Sequence, residues 1–282
     1  MTTTELMAAP SAPPLPDSPA DRWRWLIRDG VTIARRDAIH WRRRPGQIVA
    51  GLAFPIMFVV LYGYVLGGSM SVAGGGAYMD FLIPGLFTMT MAFGVGDTII
   101  GVNTDVARGV TDRFRSMPIS AGSVVLGRAL ADMVWAVVNL AVLAICGLAV
   151  GWRWHGTLAA AGLAFGLLLL LRFSLVWAGI YFGLLARSPE AAASSWALLF
   201  PLTMLANTFA SPELMPGWLG AIANWNPLSA TVTATRELFE NPGVGGNSWA
   251  TENTMLLAVG WPVLIMLIFA PLAVRRYRNR SI

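Results

Sequence analysis

Six long apolar runs divide this chain, at about 46–68, 79–103, 122–150, 157–186, 191–211 and 252–274. Each approaches the ~20 residues with which an α-helix crosses a bilayer. The third and fourth exceed 25 residues, which predicts that they tilt or protrude. Only Arg187-Ser188-Pro189-Glu190 parts the fourth from the fifth, and it reads as a tight surface turn. Ahead of the first run the period changes. Over 21–44, Trp23, Ile27, Val31, Ala34, Ala38 and Trp41 recur at spacings of three and four, an arc of roughly 80° on a helix turning ~100° per residue. Most of the eight arginines of this segment fall outside the arc, and Asp21 is placed to cap its start. An amphipathic helix lying in the membrane interface is the expectation, with tryptophans among headgroups and arginines toward anionic lipid. A soluble helix seated on a partner has the same pattern, and Gly30 weakens the case for one unbroken helix. Residues 1–20 hold five prolines and no basic residue, so they read as a disordered tail. A secretory signal needs a positive start and a continuous apolar stretch.

Composition sharpens the picture. Of 282 residues 56% are hydrophobic and 12% charged, against about 25% charged in an average soluble domain. That is too little charge to cover a soluble surface. It excludes an ordinary soluble enzyme and points to an all-α integral membrane protein. The expected order is the interfacial helix, a six-helix domain over 45–275 and a tail at 276–282. Cys146 is the only cysteine, which rules out an intramolecular disulfide or a multi-cysteine metal site. His40 and His155 both lie outside the runs, so no catalytic cluster, no metal centre and no intramembrane enzyme is expected. All twenty basic residues are arginine. A P-loop needs a lysine at the β/γ-phosphates, so any ATP that serves this chain is hydrolysed by another polypeptide. The arginines also orient the chain. Sixteen fall on the side of the N-terminus, only Arg153 and Arg236 on the other, and Arg128 and Arg172 within runs. The positive-inside rule then places both termini in the cytoplasm.

Three places carry candidate chemistry. The first is the cytoplasmic loop 104–121, the most charged internal segment. Asp105 with Arg108 and Asp112 with Arg115 are i,i+3 pairs that support a short surface helix. Phe114 and Met117 give it a greasy face, and Pro118 ends it. From spacing alone it reads equally as a docking knob or as a solvated loop. The second is the outside segment 212–251, where Trp218, Leu219, Ile222 and Trp225 sit at helical spacing before a helical SATVTATRELF. It predicts re-entrant or interfacial helices; Arg236 and Glu237 are gate charges or solvated ones. The third is the ionisable residues within runs. Asp97 lies ~27 Å along its run and Arg172 ~22 Å along another from the same side, depths that allow a pair. Arg128 and Asp132 form a structural i,i+4 pair, and Asp80 is a helix N-cap. Phe81, Phe87, Phe93, Phe200 and Phe209 are candidates for an apolar path, or simply lipid-facing residues. Gly94-x-Gly96 and Gly179-x-x-x-Gly183 permit close helix packing.

The run ARGVTDRFRSMPIS, followed by Gly127-Arg128 and Asp132, resembles the cytoplasmic loop of ABC-2 type permeases, in particular the daunorubicin-resistance type membrane subunits of bacterial drug exporters. WRRRPGQIVAGLAFPIMFVVLYGYVLGG resembles the start of that family. MPGWLGAIANWNPLSATVTATREL, with Asn226-Pro227-Leu228 and Arg236, resembles the segment before its last helix. The resemblance covers about 22–275. It implies six helices per subunit, two permease subunits (alike or different), and a separate ATP-binding subunit that carries the ATP and magnesium. Arg108, Gly109, Asp112, Arg113, Phe114, Arg115, Met117 and Pro118 would form the coupling helix seated on that subunit. Trp218, Trp225, Pro227 and Arg236 would belong to an extracellular gate. The implied activity is export of a drug, antibiotic or lipid across the bacterial plasma membrane; nucleic acid is not an expected partner. The alternative is an ion-gradient transporter with Asp97 and Arg172 as its relay. Such proteins usually carry an internal repeat, and none is found between the halves.

Overall fold

A computed structural model describes residues 53, 55–66, 77–110, 121–209, 211–243 and 248–279. The tail, the helix expected over 21–44, and Asp112, Arg113, Phe114, Arg115, Met117 and Pro118 of the coupling loop lie outside them. Every regular element among the described residues is a helix. Four are long and apolar enough to cross a membrane, and they follow the second, third, fourth and sixth runs: α2 (Tyr78–Ala107), α3 (Ala121–Ala149), α4 (Leu158–Leu185) and α10 (Thr254–Asn279). Of the first run the described part is a shorter apolar helix, α1 (Pro55–Val65), which closes on a π-helical stretch at Leu61–Leu66.

The fifth run differs from the expectation. It forms α5 (Pro189–Ala193), capped by the Ser188 hydroxyl, and α6 (Ser195–Met204), which unwinds after Leu205. Ten residues of α6 rise only ~15 Å, half the hydrocarbon thickness. A turn at Ser194 breaks what hydropathy alone reads as continuous.

The described part of segment 212–251 folds into helical pieces: a 3₁₀ turn at Pro212–Leu214, α7 (Gly217–Trp225), α8 (Pro227–Phe239) and α9 (Trp249–Glu252). Proline at the first position of α8 suits a helix start, and Asn226 caps it by accepting the Leu228 N–H at 2.9 Å.

Helix α4 is the hub, lying against α2, α3, α8 and α10. Helix α2 is the most enclosed span and α10 the least. The α2–α4 crossing depends on the paired glycines: a Cβ at Gly183 would stand 2.8 Å from the Ile99 carbonyl oxygen, and one at Gly179 would stand 2.9 Å from Thr98. Small residues let two backbones meet where lipid offers no hydrophobic drive. Toward the start of α2, Phe87, Trp152, Phe165 and Phe239 interlock with ring centroids 5.2–6.4 Å apart. A polar buckle surrounds them. The Trp152 indole donates to Asn241 Oδ1 at 3.0 Å, Asn241 Nδ2 donates to the Arg153 carbonyl at 2.8 Å, and Asp80 accepts the Arg153 N–H at 2.9 Å. Asp80 is thus no N-cap. It lies inside the first turn of α2, where Ala77 holds the cap position, and it ties the α3–α4 loop to α2.

Candidate functional site

The ionisable residues singled out within the spans meet in one cluster. Arg128 on α3 pairs with Asp132 one turn on (Nε–Oδ1 3.4 Å), as expected, and its Nη1 also donates to Asp105 Oδ2 at 2.8 Å. Asp105 therefore sits on α2 and bridges to α3 rather than pairing with Arg108 in a surface helix. From Asp132 the chain of contacts continues inward. Thr98 Oγ1 donates to Asp132 Oδ2 at 2.6 Å, and Arg172 Nη2 donates to Thr98 Oγ1 at 3.1 Å while standing 3.9 Å from Asp132 Oδ2. Two carboxylates and two guanidiniums on α2, α3 and α4 are thus joined through one hydroxyl. Depth arithmetic paired Arg172 with Asp97; the observed ion pair is with Asp132. Successive helix positions differ by ~100°, so it is Thr98, not Asp97, that turns toward the guanidinium.

Glycine makes room for both arginines. A Cβ at Gly94 would stand 2.6 Å from Arg172 Cζ, and one at Gly101 would strike the Arg128 guanidinium. A buried charge persists only when paired and hydrogen-bonded. Arg172 is 3% exposed, and its Nη1 has no hydrogen-bond partner.

Beside this cluster lies a cavity of about 350 Å³. Its apolar wall is soft and aromatic: Phe58 of α1, Met89, Met91 and Phe93 of α2, Trp135 of α3 and Trp196 of α6. Asp97, Asn139 and Arg172 supply polar groups. Asp97 stays accessible and makes no hydrogen bond among the described residues. Asn139 donates back to the Trp135 carbonyl at 3.2 Å, which leaves its Oδ1 buried without a partner. Of the five phenylalanines proposed for an apolar path, Phe93 lines this cavity. Phe87 belongs to the aromatic core, Phe209 stacks on Tyr62 at 4.5 Å, Phe81 lies under Arg236 and Phe200 is half exposed. Sequence reasoning missed Thr98 and Asn139. Asn139 was findable as an amide in the middle of a span; Thr98 carries no such mark, because a threonine satisfies its own helix.

The expected gate residues separate into two groups. Trp218 and Trp225 on α7 are 69% and 54% exposed, and Trp225 stacks on Trp249 at 5.8 Å. Pro227 opens α8, whose face from Leu228 to Arg236 is buried against α2, α4 and α10. Arg236 is neither solvated nor free. Its side chain is 0% exposed and donates to three carbonyls, Phe81 (Nε, 3.0 Å), Asn207 (Nη1, 3.0 Å) and Thr208 (Nη2, 3.0 Å), with Cζ 3.7 Å over the Phe81 ring. One side chain thereby holds α8, the start of α2 and the turn after α6 together. At the opposite end of α2, Arg108 closes the helix and Gly109 takes a left-handed φ of 67°, a turn that a Cβ would strain.

A family model described as ABC-2 type transporter matches residues 30–239. The chain is 32% identical over 252 residues to a daunorubicin resistance ABC transporter permease protein, DrrB1, of Streptomyces coeruleorubidus, covering 89% of this chain and 86% of that one. It is 22% identical over 255 residues to a candidate transport permease, ycf38, of Cyanophora paradoxa, covering 87% and 86%.

Proposed function

The chain belongs to the ABC-2 type transporter family and is homologous to a drug-resistance permease, and we propose that it is the membrane subunit of an exporter that moves a hydrophobic or amphipathic molecule out across a bacterial plasma membrane. The observation that carries this reading is likeness along 89% of the chain to a permease named for drug resistance. Energy comes from ATP hydrolysed, with magnesium, on a separate ATP-binding subunit, since a chain without lysine lacks the P-loop cation. Two permease subunits form the pathway, with both termini cytoplasmic and six crossings each. The first is led by α1 and the fifth is made by α5 and α6.

ATP binding biases a transport equilibrium only through contacts that differ between two states. The loop from Arg108 to Pro118 makes those contacts, and Gly109, with a left-handed φ of 67°, turns the chain where α2 ends. At the other end α8, locked by Arg236, and α7 with Trp218 and Trp225 close the exit.

Proteoliposomes holding this chain together with its ATP-binding partner test the reading. ATP should drive accumulation of a lipophilic dye, and an imposed proton or sodium gradient should not. Uphill uptake on an ion gradient by the chain alone would establish the secondary-transport alternative instead.

A further inference from the structure

The loop between α3 and α4 clasps the far end of α8, and its histidine stands between two partners that suit different charge states. The His155 backbone N–H donates to the Phe239 carbonyl at 2.9 Å. The ring Nδ1 lies 3.4 Å from Asn241 Nδ2, and the ring Nε2 lies 3.8 Å from Asp80 Oδ2. The Asn241 amide is held in one orientation. Its Oδ1 accepts the Trp152 indole N–H at 3.0 Å and its Nδ2 donates to the Arg153 carbonyl at 2.8 Å, so it offers the imidazole an N–H. A neutral ring with its proton on Nε2 accepts that N–H; a protonated ring sets N–H against N–H. Asp80 has the opposite preference. Its side chain is only 10% exposed, and a carboxylate so enclosed favours a cation beside it.

The neighbouring charges leave that role to His155. The Arg153 guanidinium turns to the Leu148 and Trp152 carbonyls, at 2.6 and 2.7 Å, and only its backbone N–H reaches Asp80. Glu237 on α8 accepts the Thr254 hydroxyl of α10 at 2.9 Å. Glu240 follows α8 with a left-handed φ of 54°, in a position where glycine is usual. Its carboxylate faces the same loop, because a Cβ at Gly156 would stand 3.3 Å from Glu240 Oε1. Two carboxylates, one from α2 and one from the turn after α8, thus meet a loop whose histidine ring is half exposed to solvent. We propose that His155 is a proton-operated switch. Neutral, it accepts from Asn241 and holds the loop to the end of α8. Protonated, it leaves Asn241 and turns to Asp80 on α2. Histidine changes charge between about pH 5 and 8, so acid loosens the end of α8. Since α8 is read above as part of the exit closure, pH control of that closure rests on that reading; the switch itself requires neither ATP nor a partner.

Nitrogen NMR on the full chain in dodecyl maltoside reads the switch, with labelled histidine and with His40→Gln, which leaves His155 as the only histidine. At about pH 8 the ring should carry its proton on Nε2; a proton on Nδ1, or an even mixture of the two tautomers, overturns the proposal. Asp80→Asn should lower the titration midpoint by about 0.5 pH unit or more, and Asn241→Ala should raise it by a similar amount. No shift in either variant, or shifts of the same sign, overturns it as well. If these substitutions prevent folding, hydrogen exchange decides between wild type and His155→Gln. Corrected for intrinsic rates, the amides of 237–243 should exchange at least threefold faster at about pH 5.5 than at about pH 8 in wild type, and equally at both in His155→Gln. Protection that ignores pH in wild type, or follows it alike in both chains, defeats the assignment. ATP-driven dye transport without the His155 titration would remove this inference alone. The titration without ATP-driven transport would remove the exporter reading alone.

Discussion

Two arginines show opposite ways of keeping a cation inside the protein. Arg172 shares acidic and hydroxyl partners with one donor left over, whereas Arg236 has no carboxylate partner among the described residues and relies on three backbone carbonyls. A lysine keeps the charge but not the planar fork that reaches three acceptors at once. Arg236→Lys should therefore cost about 2–4 kcal/mol, read as a lowered midpoint in a thermal melt of the detergent-solubilised chain; Trp218→Ala, on an exposed face, should leave the melt unchanged. Thr98→Val keeps the shape and removes the hydroxyl between Asp132 and Arg172. It should cost about 1–3 kcal/mol in the same assay, and an unchanged melt would show that the hydroxyl link is not structural. Sequence made the charges visible as rarities within apolar runs, and depth along a helix placed them at one level. It did not show their azimuth, so it matched Arg172 to Asp97 instead of to Asp132 through Thr98. Nor did it show that Arg236, in a stretch rich in threonine, is enclosed, because that follows from where α8 lies among α2, α4 and α10.

At the scale of elements, glycine sets how near two spans come. Gly183→Ala pushes a methyl group against the Ile99 carbonyl, backbone that moves only if the whole helix moves, and should destabilise by about 1–3 kcal/mol. Gly166→Ala on the same helix meets nothing within 4 Å and should stabilise by roughly 0.5–1 kcal/mol through helix propensity. Opposite shifts of the melting midpoint would verify the α2–α4 crossing; equal shifts would refute it. The four long spans were legible to within a few residues because nothing interrupts their hydropathy. The fifth was not. Its composition suits a span, but a turn at Ser194 divides it, and α2 supplies the packing that lets short pieces persist.

For the molecule as a whole, the arginine asymmetry predicts an orientation. With Cys146 replaced by alanine, a membrane-impermeant thiol reagent should label Glu213→Cys in intact cells and Asn279→Cys only after permeabilisation; the reverse pattern would invert the topology. Coupling belongs to this scale too. Arg113→Glu should abolish ATP-driven transport in the partnered complex without changing the amount of chain inserted, and normal transport would remove the coupling role from that loop. Much of α10 stays exposed and apolar, with Leu256, Val263, Leu264 and Leu267 outward. Helix α2, by contrast, has little freedom. Thr208, Arg172, Trp196 and Arg128 crowd its glycines at 85, 94, 96 and 101, so each notch is already occupied and any side chain added there displaces a neighbour. A lineage reshaping the cavity beside α2 would therefore leave that helix untouched and change the opposite walls, at Trp135, Asn139 and Trp196, where substitutions alter its shape without dismantling the scaffold.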